Sequence, residues 1–302
     1  MTINRVSTLS LFNRTQRDIS GTLGNLAELQ GQISSGFRTD NFKGLNGQVE
    51  HFTLLEARLR KIEQFRQSNA VTEARLRTAD QALDQLTTTA DDLENLLVLR
   101  RSATGNEGSL QFAQQAQDLI ARLTDSINTQ FEGRYIFGGI DTANPPVQEP
   151  LPNPVEVGVP DNGYYLGSDT NITYRIDERI EDEFPVRGDD IAFQNIIAGY
   201  HLALQADAVD GDDQLAQALD LIQTGQEQLV AARARTNTAI INIEQVGTRL
   251  DQLRTYLKGV TEQVVRTDTV AAATEVANHE AVLQATFQVY SRLSQLRLSD
   301  FL

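Results

Sequence analysis

Residues 62–97 read IEQFRQSNAVTEARLRTADQALDQLTTTADDLENLL. Within them Ile62, Phe65, Asn69, Thr72, Leu76, Ala79, Leu83, Leu86, Ala90, Leu93 and Leu97 alternate by three and four residues, and only Asn69 and Thr72 are polar. That alternation is the repeat of a coiled-coil seam. No proline interrupts it, so it predicts one helix from about Gln48 to Arg101. At about 1.5 Å per residue such a helix is on the order of 80 Å long, more than a compact domain spans, and it is expected to project as part of a rod.

The flanking sequence repeats the theme. Gly105-Asn106-Glu107-Gly108 turns the chain, after which Leu110, Ala113, Gln117, Ile120, Ile127 and Phe131 outline a third helix lying back on the second. Upstream, Leu9, Phe12, Gln16, Ile19, Leu23, Leu26, Gln30 and Ile33 carry the same spacing. That helix is expected to stop at Ser34-Ser35-Gly36, where glycine can take the left-handed capping conformation, and a Gly- and Asn-rich loop runs on to Gly47. Downstream, Ile191 to Leu204 reads as a short helix, and Asp212 or Asp213 can cap the start of a long one. Its seam is Ala239, Ile243, Val246, Leu250, Leu253, Leu257, Val260 and Val264. Beyond Thr267 an apolar face continues through Val276, Val282, Leu283, Phe287, Val289, Leu293 and Leu296.

All seven prolines lie between Pro145 and Pro185, so the strongest helix breaker is confined to the centre of the chain. Between Gly133 and Gly188 the signals change to Gly, Pro, Tyr and β-branched residues, with candidate strands at Val155–Val159, Tyr164–Leu166 and Asn171–Ile176. The predicted fold class is therefore mainly α: long antiparallel helical hairpins and terminal coiled-coil helices, with a small β-rich central domain. The expected divisions are an amphipathic assembly helix and loop (1–47), the first part of a helical rod (48–132), the β-rich domain (133–190), the second part of the rod (191–266) and a second amphipathic assembly helix (267–302).

Composition excludes several functions. A formal charge of −15, with acidic and basic residues interspersed, opposes binding to a phosphate backbone and serves solubility instead. Nucleic acid is not an expected partner. The absence of cysteine excludes disulfides and thiolate metal sites. No stretch approaches eighteen apolar residues, and Met1 to Asn13 lacks the apolar core of a secretory signal. A membrane is not expected as a partner either, and the chain is expected to be cytosolic or exported without a cleaved signal.

The two amphipathic ends each carry a stripe that a simple hairpin does not cover. An isolated amphipathic helix is marginal in water, so the stripes are expected to order when several subunits pack them together. Leu9, Phe12, Ile19, Leu23, Leu26, Ile33, Val276, Val282, Leu283, Phe287, Val289, Leu293 and Leu296 are the expected assembly residues. The alternative is that the two ends pair only with each other inside one stable bundle, and repeat spacing does not choose between the two.

No constellation points to catalysis, a cofactor or a metal. His51, His201 and His279 are far apart in sequence and form no metal-binding pair. The acidic run Asp177, Glu178, Glu181, Asp182 and Glu183, and the stretch from Asp207 to Asp213, lack the alternating oxygen ligands and terminal Glu of a calcium loop. Gly138-Gly139 follows a helical hairpin without the helix a phosphate-binding glycine loop requires. Gly133 with Arg134 reads either as a helix stop feeding a strand or as a subunit contact, in which Arg134 donates to a neighbour's carboxylate.

Four quoted stretches resemble the flagellin family, in its order and spacing. They are Asn4-Arg5-Val6-Ser7-Thr8; Gln32-Ile33-Ser34-Ser35-Gly36-Phe37-Arg38; Gly133-Arg134-Tyr135-Ile136-Phe137-Gly138-Gly139; and Leu283-Gln284-Ala285-Thr286 followed by Ser294 to Leu302. The last is more similar to the family's hook-to-filament branch than to its filament subunits. Ser35, Gly36, Arg38, Gly133, Arg134, Tyr135, Phe137 and Gly138 carry the family pattern, and the resemblance covers both helical arms. One departure is Thr39-Asp40-Asn41-Phe42-Lys43-Gly44-Leu45, where the family has a polar run with paired aspartates.

The resemblance implies a non-enzymatic subunit of the bacterial flagellum, exported through the flagellar type III channel and built into a ring between hook and filament. It implies as partners copies of itself, an adjoining hook-associated protein, flagellin and an export chaperone on the C-terminal helix. The nearest alternatives are a short flagellin that forms the filament itself and a cytosolic coiled-coil tether.

Overall fold

The structure, a computed structural model, describes residues 3–38, 48–102, 106–209 and 211–299. The elements run α1 (Ile3–Ser35), α2 (Val49–Ser102), α3 (Asn106–Ile127), β1 (Gln130–Phe131), β2 (Arg134–Tyr135), β3 (Thr173–Arg175), β4 (Glu181–Glu183), α4 (Ile191–Val209), α5 (Asp212–Val265) and α6 (Thr269–Ser299). The chain is mainly α, with a small β region that among the described residues consists of two antiparallel two-stranded sheets. It forms two compact units, one of residues 1–60 with 253–302 and one of residues 61–252.

In the second unit the seam predicted on α2 is the core. Leu76, Ala79, Leu83, Leu86, Ala90 and Leu97 are fully enclosed, and Asn69 is buried while Thr72 is half-buried. On α5, Ala239, Ile243, Val246 and Leu250 are buried as expected. The two helices are antiparallel: Arg66 pairs with Asp251, Arg77 with Glu244, Arg233 with Asp80 and Asp84, Gln226 with Asp91 and Gln223 with Glu94. These rungs are largely exposed, so each contributes at most about 1 kcal/mol, and the enclosed leucines hold the seam.

On α3 the buried positions are Phe112, Ala116, Ile120, Leu123 and Ile127. The predicted seam is thus out of phase at Gln117, which is exposed, and at Ala113, which is half-buried, while the side chain of Leu110 lies outside the described residues. The helix ends at Ile127, and Phe131 belongs to β1. The short helix predicted to Leu204 continues to Val209 and is buried on nearly all sides. Two glycines let α4 and α5 approach closely. A Cβ on Gly199 would lie 2.9 Å from the Ala218 carbonyl oxygen, and one on Gly225 would lie 2.9 Å from the Ala192 carbonyl oxygen.

At the far end of α4, Asp207 forms a buried ion pair with Arg100 of α2, their side chains only 4% and 6% exposed. Removing one partner of such a pair costs about 3–5 kcal/mol because it strands the other charge.

The β region differs from expectation in detail. Val155–Val159 is turned chain, with Val155 96% exposed, because the flanking Pro152, Pro154 and Pro160 lack backbone donors and the segment has no face to bury. Of Tyr164–Leu166, only Tyr165 pairs, in an isolated bridge with Val147. Strand β3 falls inside the predicted Asn171–Ile176 and pairs with β4, which none of the candidate strands covers. The region is tied to the helices by polar groups, one buried and one half-buried. Asn69 Nδ2 donates to the Ile176 carbonyl at 2.9 Å, and the Asn128 amide exchanges two bonds with the Val147 backbone, at 3.0 and 3.1 Å.

Candidate functional site

In the first unit α1 and α6 pack together, and the turn after α1 locks onto the junction between α5 and α6. Gly36 adopts φ +77°, and its N–H donates to the Gln32 carbonyl at 2.9 Å, ending α1 where the sequence predicts. Ser35 Oγ accepts the Phe37 N–H at 3.3 Å. Phe37 bridges to Arg266, the Arg38 N–H donates to Val265 O at 2.7 Å, and the Thr267 N–H donates to Gly36 O at 2.9 Å. Asp268 then caps α6, accepting the N–H groups of Val270 and Ala271. Arg38 thus acts here through its backbone. The stretch Thr39 to Leu45, which departs from the family pattern, lies outside the described residues.

The α1–α6 seam is only half closed. On α1 it runs through Phe12, Thr15, Ile19, Thr22, Leu26, Leu29 and Ile33, and only Thr15 is buried; the others are half-buried. On α6 it runs through Ala272, Val276, His279, Leu283, Thr286 and Tyr290, of which only Ala272 is buried. Phe12 and Tyr290 stack with ring centroids 4.9 Å apart. The period on α1 is the predicted one, but Thr15, Thr22 and Leu29 take the places expected for Gln16, Leu23 and Gln30.

The expected assembly residues therefore divide. Phe12, Ile19, Leu26, Ile33, Val276 and Leu283 lie half-buried in the pairing. Leu23, Val282, Phe287 and Val289 point away from it, 47%, 54%, 48% and 52% exposed. The side chains of Leu9, Leu293 and Leu296 lie outside the described residues. Pairing between the two helices is real, yet it leaves apolar surface on both sides of the seam. Full burial of each such side chain is worth about 1.5–3 kcal/mol, which the pair by itself does not recover.

The second family stretch is a folded corner. Glu132 and Gly133 have φ of 51° and 74°, the two positive values a two-residue primed hairpin turn needs. Gly133 is therefore a hairpin turn between β1 and β2, and α3 has already ended six residues before it. Arg134 is exposed, and its Nη1 donates to Thr142 Oγ1 at 3.5 Å. The Tyr135 N–H donates to Thr142 O. Phe137 is fully buried and meets Phe193 edge-on. A Cβ on Gly138 would lie 2.1 Å from the Asp141 carbonyl oxygen, so the chain passes too close for any side chain there. Sequence reasoning missed what aims at this corner: Arg75 of α2 donates from Nη2 to Tyr135 O at 3.2 Å.

The groups set aside in the sequence are occupied with structural work. Asp177 pairs with Arg249, Glu178 with Lys61 at 2.8 Å, Glu181 with Arg175, and Glu183 accepts from Asn171. Among the described residues no cluster of His, Cys, Asp or Glu could hold a metal ion, and no helix is long and apolar enough to cross a membrane. His51 is exposed. His201 is half-buried beside a cavity of about 130 Å³ lined by Pro152, Val159, Asp161 and Tyr164, and burial lowers its pKa. His279 sits in the α6 seam.

Comparison with known proteins agrees with this geometry. Residues 6–142 match the bacterial flagellin N-terminal helical region. No curated protein matches the sequence. The crystal structure of Bacillus cereus FlgL superposes with a TM-score of 0.57 at 16% identity, covering 68% of this chain and 97% of that one. A Vibrio parahaemolyticus protein assigned as flagellar hook-associated superposes with a TM-score of 0.59 at 12% identity, covering 71% of this chain and 96% of that one. At these identities the two likenesses concern the fold.

Proposed function

We propose that this flagellin-family chain is a structural subunit of the bacterial flagellum that joins hook to filament, assembling by mutual burial of the stripes on α1 and α6. The observation that carries the reading is the contrast between seams. The seam leucines Leu76, Leu83, Leu86 and Leu97 of α2 are fully enclosed, whereas no large apolar side chain described on α1 or α6 is, and Leu23, Val282, Phe287 and Val289 stand about half exposed. A helix pair left in that condition gains stability when a like pair covers it.

The match over residues 6–142 and the fold shared with hook-associated proteins support a flagellar setting. The finer parts of the reading follow from that setting: a ring of this chain, contacts with an adjoining hook-associated protein and with flagellin, and passage through the flagellar type III channel to the cell exterior. The seam of α6, from Ala272 through Val276, His279, Leu283 and Thr286 to Tyr290, has the three- and four-residue spacing by which a helix seats in a chaperone groove. A chain without cysteine carries no disulfide to obstruct threading. The role so proposed is structural.

The test is deletion of the gene in its motile host, with electron microscopy of the cells and assay of flagellin in the medium. Hooks without filaments and flagellin lost to the medium are expected. Short or absent filaments with no flagellin released would indicate a filament subunit instead, and intact flagella would refute both.

A further inference from the structure

Among the described residues of the second unit, the buried and half-buried arginines hold carboxylates, with one exception. Among its described arginines, Arg66, Arg100, Arg187 and Arg233 are partly or fully buried, and each holds a carboxylate: Asp251, Asp207, Asp189, and Asp80 with Asp84. Arg75 is buried to a similar degree and has none. Its Nη2 donates to Tyr135 O at 3.2 Å, its guanidinium carbon lies 5.3 Å from the centre of the Phe184 ring, and its Nε is enclosed without a partner. Burial and the nearby charge of Arg134 both lower its pKa, the desolvation being the larger cause. Arg134 itself makes only the long bond to Thr142 among the described residues. Arg75 thus reaches the carbonyl of the residue that follows Arg134, and among the described residues neither guanidinium holds a carboxylate.

Holding the corner together explains part of this. One N–H of Arg75 satisfies the Tyr135 carbonyl, and the cation rests on an aromatic face. Yet a desolvated cation without a counter-ion opposes folding, and an unbranched apolar side chain would fill the same volume more favourably. Nε is too enclosed to take an external group. The edge formed by Nη1 and the free hydrogen of Nη2 remains, and a planar guanidinium fork matches a carboxylate in geometry and charge.

We propose that Arg75 and Arg134 form a clamp for an acidic side chain of a second copy of this chain, across a subunit contact. The inference rests on the reading of the chain as a self-assembling flagellar subunit. Charge selects the occupant. With 41 acidic against 26 basic residues, every neighbouring copy presents carboxylates in excess, and copies of net charge −15 repel at long range unless contacts are locally complementary. A cationic pair without internal partners supplies that complementarity.

The test places a photo-crosslinking residue at exposed Ile140, two residues from Thr142, in the otherwise intact chain expressed in its host. Crosslinked products are then analysed in isolated flagella. The expected product is a dimer of this chain, falling about tenfold or more in Arg75→Met and in Arg134→Gln, the loss appropriate to a charge-assisted pair. Purified Arg75→Met is expected to unfold at no lower denaturant concentration than the parent chain, and Arg134→Gln, altered at an exposed side chain, carries the test if Arg75→Met does not fold. A crosslink to a different protein, no crosslink, or dimer yields unchanged in both variants would overturn the clamp while leaving the flagellar reading intact. Absence of the chain from the flagella would overturn that reading, and the clamp with it.

Discussion

Two glycines of the same helix should respond to alanine with opposite signs. In α5 a Cβ on Gly247 meets nothing within 4 Å, so Gly247→Ala changes only intrinsic helix propensity. That gain is about 0.8–1.0 kcal/mol. Gly225→Ala receives the same gain but places its Cβ 2.5 Å from Ile196 Cγ1, 2.9 Å from the Ala192 carbonyl oxygen and 3.2 Å from the Ile196 backbone nitrogen. A rotamer change can move the isoleucine carbon. The two backbone atoms belong to α4, which is buried on nearly all sides and cannot withdraw without opening the core. Overpacking of this kind costs about 1–3 kcal/mol, more than the propensity gain over most of its range, so the net effect should be destabilising by up to about 2 kcal/mol. Urea unfolding of the purified variants, followed by far-UV circular dichroism, measures both. Gly247→Ala should raise the midpoint and Gly225→Ala lower it at unchanged slope. Equal shifts of the same sign would show that close approach of α4 and α5 does not govern this position.

Gly36→Ala tests the lock between α1 and the α5–α6 junction: its Cβ meets open space, so the penalty is the left-handed conformation alone, roughly 1–2 kcal/mol. Amide exchange at Arg38 and Thr267 should accelerate about 5- to 30-fold while that of Leu83 stays constant; unchanged exchange would exclude a role for the lock. Arg100→Met and Asp207→Asn should each destabilise by about 3–5 kcal/mol in denaturant titrations, whereas Arg100→Met combined with Asp207→Leu should recover much of the loss; additive losses would contradict a buried pair. Leu83→Ala should cost the monomer about 2–5 kcal/mol, while Leu23→Ala should leave monomer stability nearly unchanged and reduce filament attachment in complemented cells. His201, whose pKa burial lowers, binds protons less readily folded than unfolded, so stability should fall as pH drops below about 6.5. His201→Phe should flatten that slope in thermal melts taken across the acid range, and an unaltered slope would place its origin elsewhere.

The long helices were legible because their periodicity is a property of the chain itself. In α2, Leu76 through Leu97 repeat for six turns without interruption, and a stripe that long has one face that can be enclosed whatever its partner. Gly36 was legible for a similar reason, since a glycine closing an amphipathic run supplies the positive φ that a helix end uses. Phase was less accessible. On α1 the choice between Thr15, Thr22, Leu29 and Gln16, Leu23, Gln30 depends on which neighbouring ridge α6 presents, and α6 arrives from the other end of the chain. On α3 the same ambiguity displaced Gln117, because the face that α3 buries depends on partners such as α4, a mostly apolar helix that follows it by more than sixty residues.

The central region resisted for another reason. Its strands are two or three residues long, too short for alternation to show, and its shape is held by single long-range bonds such as Asn69 to Ile176 and Arg75 to Tyr135. The glycine-arginine corner was visible as a pattern, but its turn and the cation aimed at it were not. Periodicity and composition by themselves determined a long-helix, acidic, cysteine-free chain with an apolar stripe at each end. Which stripes close on each other, which stay half open, and which charges are left without a partner were decided only in the tertiary structure, because each depends on groups far apart in sequence meeting at a few ångströms.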